Sequence, residues 1–481
     1  MNPGEQQARF VSEFDRLFTE LVRNKNYHDA ISFYRTLPFN GVAPYFFALK
    51  LLLNCYVSLY RTGYGFGVFG VILKMGFVPD VVCFSNLVKG LCRDRRVQEA
   101  TLLVKKMKHF GFAPNVVLYS SLIDGLCRAM KWEEAERVYA EMKNEGVHPN
   151  VITFSSLIQG LCRAGEFSKA KDMLDEMKMN GISPDVITYS SLIDGLCKSS
   201  KLEEAKGVFC EMNSNGVVPN IITYNSVISG LCSNGCWEES KGILCKMIIS
   251  GVIPDAVSYN SIIRGLFVGS KWEEARAMFL NMDKNGVPPN EITYNTLIHG
   301  LCKLGELEKA KSTFCEMNSI GLVPNSRTYT SIINGLYSSG KSKEAKSMFC
   351  KMVISGVIPD VLTYNSIIHG SFQSGDWEEA KCLFGEMKRT GIYPSVFIYT
   401  TMVHGMCNIG MWDEVKSILC EMMEQAVLPN GVTVNVVLSA LIRDGKRSEA
   451  SRLLELTMER GEKSDIDTCN ILMCALGLDD C

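Results

Sequence analysis

Residues 186–220 have the sequence VITYSSLIDGLCKSSKLEEAKGVFCEMNSNGVVPN. Apolar residues recur at helical spacing over about 187–198 and again over about 202–213, which predicts two consecutive helices. Gly216 lies where the second helix should end, and Pro219 prevents that helix from continuing. The stretch is therefore predicted to form one helix–turn–helix hairpin.

The same pattern recurs along the chain without insertion. Repeats are framed as 11–45, 46–80, 81–115 and onward to 431–465, after a short lead, 1–10, and before a truncated fourteenth repeat, 466–481. Proline occurs every 35 residues, at positions 44, 79, 114, 149, 184, 219, 254, 289, 324, 359, 394 and 429. A hairpin of this size cannot bury its apolar faces alone, so stacking of neighbours is required. The sequence predicts an all-α protein, an α-solenoid of about 26 helices.

Composition restricts the possible functions. The chain has 481 residues, 50 Lys and Arg against 52 Asp and Glu, and 47% hydrophobic residues. That composition is typical of a folded chain. A net charge of −2 excludes nucleic-acid binding by bulk electrostatics alone. No apolar run of 18 residues occurs, so no membrane span is predicted.

Several conspicuous residue types occupy fixed repeat positions, numbered here from 1 to 35. Tryptophan falls at position 17 and methionine at position 27, and both are interpreted as packing residues. Most of the 19 cysteines fall at positions 12 and 25 and are predicted to be buried thiols, since one thiol per layer cannot assemble a zinc site. No phosphate loop, HExxH or GxSxG motif occurs. The sequence therefore predicts a protein without catalytic residues, metal or cofactor.

Two positions are small and polar throughout yet vary within that class. Ordinary helix capping explains such residues after a proline, but base-by-base recognition requires the same kind of variation, and the residues alone favour neither. Position 5 holds Ser85, Ser120, Ser155, Ser190, Asn225, Asn260, Asn295, Thr330, Asn365, Thr400 and Asn435. Position 35 holds Asn115, Asn150, Asp185, Asn220, Asp255, Asn290, Asn325, Asp360, Ser395, Asn430 and Asp465.

Two further positions fit a nucleic-acid groove. Branched side chains at position 2 can sandwich a flat base, although they can also simply pack on the adjacent helix. These are Val82, Val117, Ile152, Ile187, Ile222, Val257, Ile292, Arg327, Leu362, Phe397 and Val432. Cations at position 13 can contact phosphates or complement a helix C-terminus. These are Arg93, Arg128, Arg163, Lys198, Lys303 and Arg443.

The 35-residue pattern of 186–220 resembles the pentatricopeptide repeats, and the resemblance covers 11–465. Uniform repeat length is similar to the P class of that family. The recurrent GLC and the segment LLLNCYVSLYRTGYGFGVFGVILKMGFVPD resemble the plant restorer-of-fertility-like subgroup. The resemblance implies a right-handed superhelix that binds single-stranded RNA, one base per repeat, with positions 5 and 35 as the recognition residues.

The resemblance also implies a target. In the family's code Asn–Asp pairs with U, Asn–Ser with C, Asn–Asn with C or U, Ser/Thr–Asn with A and Ser/Thr–Asp with G. Applied in order from Ser85/Asn115 to Asn435/Asp465, the code gives a target near 5′-AAGAUYYGCAU-3′. The first two repeats depart from the pattern, with Asp15 and Tyr45 in one and Lys50 and Asp80 in the other, and are left unassigned.

The functional hypothesis from the resemblance is RNA processing, stability or silencing in mitochondria, with the chloroplast as the other organelle. The hypothesis includes a recruited nuclease or other processing factor as a partner. The alternative hypothesis is a helical scaffold that binds other proteins. Residues 1–10 do not have the Arg- and Ser-rich composition of a transit peptide, so the expected location rests on the resemblance.

Overall fold

A computed structural model of the chain describes residues 3–37 and 43–460. Within those residues the backbone forms helices and turns and no β-strand. The helices are α1 (Pro3–Arg23), α2 (Tyr27–Tyr34), α3 (Phe46–Ser58), α4 (Thr62–Lys74), α5 (Val81–Arg93), α6 (Val97–His109), α7 (Val116–Arg128), α8 (Trp132–Asn144), α9 (Val151–Ala164), α10 (Phe167–Met179), α11 (Val186–Lys198), α12 (Leu202–Ser214), α13 (Ile221–Ser233), α14 (Trp237–Ile249), α15 (Ala256–Val268), α16 (Trp272–Lys284), α17 (Glu291–Lys303), α18 (Leu307–Ser319), α19 (Ser326–Ser338), α20 (Ser342–Ile354), α21 (Val361–Gln373), α22 (Trp377–Arg389), α23 (Val396–Asn408), α24 (Trp412–Glu424), α25 (Gly431–Arg443) and α26 (Arg447–Arg460). This confirms the predicted all-α class.

Each hairpin ends for the reason that its sequence indicates. Helix α12 stops at Ser214, and Gly216 follows with a φ of +71°, a left-handed conformation that costs glycine little. The amide of Val217 then bonds the carbonyl of Met212 at 3.1 Å, which satisfies a carbonyl at the helix end. The chain leaves the hairpin there and begins the next repeat.

The chain divides into two compact units, Met1–Asn234 with Gly242–Ile253, and Gly235–Lys241 with Pro254–Cys481. In the first unit α5 packs on α7, α7 on α9 and α9 on α11; in the second unit α15 packs on α17 and α17 on α19. First helices also pack on the second helix of their own repeat, as α11 does on α12 and α17 on α18. Each unit is thus an α-solenoid with one layer of first helices and one layer of second helices.

Glycine at position 10 lets neighbouring first helices approach closely. A Cβ built on Gly160 would lie 2.5 Å from the Sγ of Cys127, and one on Gly335 would lie 2.8 Å from the Cβ of Cys302. The position-12 cysteines are accordingly buried, as predicted, and burial raises the pKa of the Cys92 thiol to about 12. These thiols fill space between repeats and are unreactive at neutral pH.

Other packing positions agree in part with the sequence predictions. Every position-27 methionine from Met107 to Met422 is fully buried. The prediction was wrong for position 25, where Cys210, Cys245, Cys315 and Cys350 are exposed. Their exposure indicates that the second helix turns this position away from the first-helix layer.

The position-17 tryptophans are half-buried, and lysines of the following repeat stack on them. Lys169 lies 4.2 Å from the centre of the Trp132 ring, and Lys309 lies 3.8 Å from that of Trp272. Such cation–π contacts join neighbouring second helices. The tryptophans therefore contribute to stacking between repeats.

Among the described residues no helix is long and apolar enough to cross a membrane.

Candidate nucleic-acid interface

The position-35 side chains cap the first helix of the following repeat. Asp185 Oδ1 accepts the amide of Thr188 at 2.8 Å, and Asn220 Oδ1 accepts that of Thr223 at 3.0 Å. Helix capping is therefore confirmed for each Asp or Asn at position 35 whose Oδ1 accepts such an amide. Ser395 makes no side-chain cap bond. The cap uses only Oδ1, so the second polar atom of each Asp or Asn is left for another partner.

The position-5 side chains lie in the first turn or two of the first helices and are buried or partly buried, apart from the exposed Asn435. They approach the position-35 side chain of their own repeat: Ser120 Oγ lies 3.4 Å from Asn150 Oδ1. Serine and threonine here also donate to a backbone carbonyl one turn earlier, as Ser190 Oγ does to Val186 at 2.6 Å. We call the two residues at positions 5 and 35 of one repeat its recognition pair.

The position-2 side chains are exposed, so packing on the adjacent helix leaves a large part of each side chain uncovered. The exposed fraction runs from 42% at Val82 to 77% at Phe397. Arg327 is exposed as well. A row of solvent-facing branched residues is costly unless something covers it. Their place beside the recognition pairs suits a flat, partly apolar ligand.

One cavity brings the three predicted classes of site residue together. It has a volume of about 830 Å³ and lies in the first unit. Its lining includes one recognition pair, the position-2 residues of two successive repeats and two position-13 cations: Ser190, Asn220, Ile187, Ile222, Arg163 and Lys198. An opening with apolar walls, hydrogen-bonding groups and cations has the chemistry needed for a base with its phosphates.

The position-13 cations are all exposed, but they are not equivalent. Arg128 forms an ion pair with Asp124 at 3.1 Å, and Lys198 forms one with Asp194 at 2.6 Å. These aspartates, at position 9, reduce the positive potential of two of the predicted phosphate contacts. No ion pair to Arg163 is found among the described residues, so its full charge faces the cavity.

Arg443, Arg93 and Lys303 complete this column. Arg443 bonds the Asn408 side chain at 2.7 Å and pairs with Asp444. Arg93 lies 5.4 Å from the centre of the Tyr60 ring, whereas Lys303 is exposed at the end of α17. The sequence did not single out Lys89, whose pKa is lowered by burial and by neighbouring Arg93; it is a further cation on this layer.

In the first two repeats, which depart from the pattern, the side chains at positions 5 and 35 contact each other. Lys50 and Asp80, at the two recognition positions, form an ion pair at 2.5 Å. Tyr45 donates a hydrogen bond to Asp15 at 2.5 Å, again between the two recognition positions. In both repeats the two polar side chains therefore bond each other. At the other end, Asp465 and the fourteenth repeat lie outside the described residues.

Sequence reasoning missed the side chain that lies between the two recognition residues. It is the buried threonine at position 3 of the following repeat, such as Thr188, whose Oγ1 lies 2.7 Å from Ser155 Oγ and 2.8 Å from Asp185 Oδ1. The recurrence of threonine at that position was the available signal. No group of three or more His, Cys, Asp or Glu residues in the described part of the chain is placed to hold a metal ion.

The chain is similar to known repeat proteins in sequence and in fold. The model of the PPR repeat family matches the chain in ten overlapping stretches: 79–128, 114–163, 149–198, 191–233, 219–268, 254–303, 289–338, 329–373, 359–408 and 394–443. The crystal structure of the pentatricopeptide repeat protein PPR10 from maize is similar over 92% of this chain and 72% of that one, with a TM-score of 0.53 and 22% identity. That similarity shows a shared fold.

Two curated relatives are plant proteins labelled mitochondrial. A pentatricopeptide repeat-containing protein of Arabidopsis thaliana is 32% identical over 94 residues, which are 20% of this chain and 16% of that protein. Protein Rf1 of Oryza sativa subsp. indica is 35% identical over 63 residues, 13% of this chain and 8% of that protein. The alignments thus span only a small part of either relative.

Proposed function

This chain belongs to the pentatricopeptide repeat family, and from that premise we propose that it binds single-stranded RNA sequence-specifically, one base per repeat, without catalysing a reaction. The observation that carries the proposal is the cavity whose lining contains the recognition pair Ser190 and Asn220 together with Ile187 and Ile222. A base inserted between the two isoleucines would present its edge to the recognition pair. Arg163 and Lys198 would contact the backbone phosphates.

The recognition pairs specify the proposed target. Serine or threonine with asparagine presents different donors and acceptors from asparagine with aspartate, so successive repeats select different bases. The target is 5′-AAGAUYYGCAU-3′ for repeats 81–115 to 431–465. The last U depends on Asp465, which lies outside the described residues.

The proposed role is post-transcriptional. A bound stretch of about eleven nucleotides would block a nuclease or ribosome or mark the transcript for a recruited processing nuclease. The two relatives labelled mitochondrial support a mitochondrial location, with a fertility-restorer-like role as the finer hypothesis and the chloroplast as the other organelle.

The direct test measures the affinity of the purified protein for this RNA and for versions changed at one base. Each change opposite a recognition pair should weaken binding by about 1–3 kcal/mol, or roughly 5- to 150-fold. The RNA should remain intact during the assay. Equal affinity for all versions would contradict sequence-specific recognition, and would leave the protein-scaffold alternative.

Replacing Arg163 by glutamine should weaken binding to every RNA by a similar factor, because a phosphate contact carries no sequence information. The slope of log affinity against log salt should fall by about 0.7, the contribution of one phosphate contact on a single strand. Arg137→Gln is the matched control, since Arg137 lies on the second-helix layer in α8 and is exposed. A change in slope for Arg137→Gln and none for Arg163→Gln would show that the RNA binds the second-helix layer, which would contradict the proposal.

A further inference from the structure

The threonine column at position 3 forms a second set of polar residues beneath the proposed interface. Each is fully buried, although a buried hydroxyl requires hydrogen-bond partners. The column consists of Thr153, Thr188, Thr223, Thr293, Thr328, Thr363 and Thr433. In several repeats the hydroxyl completes a capping box, as Thr328 Oγ1 accepts the backbone amide of Asn325 at 3.1 Å. Its other partners indicate what it does beyond capping.

In the repeat 291–325 the hydroxyl contacts both recognition residues. Thr328 Oγ1 lies 2.6 Å from Asn295 Oδ1 and 3.1 Å from Asn325 Oδ1. Asn325 Oδ1 also accepts the backbone amide of Thr328 at 3.1 Å. The threonine therefore belongs to one repeat by sequence and to the recognition pair of the preceding repeat by contact.

The same link recurs in both compact units. Position 5 of one repeat and position 3 of the next are joined at 2.6 to 2.9 Å. The linked residues are Ser120 with Thr153, Ser155 with Thr188, Ser190 with Thr223, Asn295 with Thr328, Thr330 with Thr363, and Thr400 with Thr433. In each case the threonine also bonds the Oδ1 of the position-35 residue or lies beside it.

The link constrains which group faces the ligand. A hydroxyl has one proton, so Thr328 can donate to Asn295 Oδ1 or to Asn325 Oδ1 but not to both at once. The shorter distance indicates that Thr328 Oγ1 donates to Asn295 Oδ1, which holds that oxygen toward the threonine and turns the amide NH₂ away from it. Without the hydroxyl, the Asn295 amide can rotate by about 180° and present an acceptor in place of a donor.

We propose that the position-3 threonine is a positioning residue that sets the base preference of the preceding repeat by linking its two recognition side chains. The proposal rests on the RNA-binding function proposed above. It adds a third residue to each recognition pair, one that need not touch the base.

Two of the assigned recognition pairs are followed by a position-3 residue without a hydroxyl and supply a natural comparison. Leu118 follows the pair Ser85/Asn115, and Ile398 follows the pair Asn365/Ser395. At the second of these, Asn365 Oδ1 accepts from Thr401 Oγ1 at 2.7 Å instead, and Ser395 Oγ is buried without a partner. The two recognition side chains are therefore not joined to each other there.

One repeat that has the threonine lacks the full link. Thr293 bonds Asn290 Oδ1 at 3.1 Å, but Asn260 Oδ1 is buried without a hydrogen-bond partner. Base preference opposite Asn260/Asn290 should accordingly be weaker than opposite Asn295/Asn325, although both pairs have the same two residue types. A different base preference opposite two pairs of identical residues would indicate that a third residue contributes to recognition.

The experiment compares Thr328→Val, which removes the hydroxyl at nearly constant volume, with Thr328→Ser, which keeps it. For each, affinity is measured for RNAs with all four bases opposite Asn295/Asn325 and, as an internal reference, opposite Thr400/Asn430. The valine variant should lower the pyrimidine preference at the first position by about three- to tenfold, the scale of one hydrogen bond, and leave the second position unchanged. The Thr328→Ser variant should keep the pyrimidine preference of the wild-type protein.

Ile398→Thr tests the same idea as a gain and does not depend on tolerance of a lost bond. It should raise base preference opposite Asn365/Ser395 by about three- to tenfold. An equal affinity loss for all four bases in Thr328→Val, or unchanged preferences in both Thr328→Val and Ile398→Thr, would overturn the positioning role alone. A wild-type protein without any base preference would overturn the proposed function and this inference with it.

Discussion

Replacing Asn365 by threonine together with Ser395 by aspartate should change the preferred base opposite that repeat from C to G. Aspartate at 395 can accept the amide of Ile398 as the other caps do, and its second oxygen would then face the base. That oxygen can accept from N1–H or from the amino group of guanine, whereas the Watson–Crick edge of cytosine has a single donor, its N4 amino group, beside two acceptors. The affinity for G relative to the affinity for C should rise roughly 5- to 150-fold. This corresponds to a change of about 1–3 kcal/mol or more in relative binding free energy.

The structure supports this choice of repeat for the exchange. Ser395 Oγ is buried without a partner and makes no cap bond, so the replacement breaks no side-chain bond there. Thr401 loses its Asn365 acceptor but keeps its bond to the carbonyl of Phe397 at 2.9 Å. The preferences opposite Thr330/Asp360 and Thr400/Asn430 are the internal controls and should not move. If C remains preferred in the double variant, these two residues do not select the base.

The helices were predictable from the sequence because their boundaries are local. The expected helices over 187–198 and 202–213 are observed as Val186–Lys198 and Leu202–Ser214. Capping by Asn220 was expected from its place after Pro219, and its cap bond to Thr223 is observed. Such features depend on a few adjacent residues, so one repeat contains all the information needed.

Features that depend on the packing of one repeat on the next were not predictable from the same pattern. The exposed Cys315 and Cys350 share a helical periodicity with buried residues, and only the placement of the second helix separates them. The contact of Asn295 with Thr328 joins residues 33 apart in the chain, and it depends on the distance between two first helices. A repeat pattern identifies which positions recur but not which of them meet across the stack.

The close approach of neighbouring first helices can be tested by mutation. Forcing two of these helices apart should lower the free energy of unfolding more than the other substitutions proposed above. A Cβ built on Gly370 would lie 2.2 Å from Cγ of Tyr337, the ring atom closest to that residue's backbone. The ring can move aside only by a change of χ1 between two packed helices, so we expect α19 and α21 to separate. Gly370→Ala should therefore destabilise the fold by about 1–3 kcal/mol or more, as overpacking does. Gly335→Ala, which meets the smaller Cys302, should cost less.

Gly385→Ala in the same repeat is the matched control and should have the opposite sign. Gly385 lies inside α22 with no atom within 4 Å of a Cβ built on it. Alanine there should stabilise the protein by about 0.5–1 kcal/mol, because it loses less backbone entropy in a helix. Urea unfolding followed by circular dichroism measures both. A Gly370→Ala protein as stable as the wild type would show that the first helices are not held together at this distance, and the bonds from position 5 to position 3, which need that distance, would lose their structural basis.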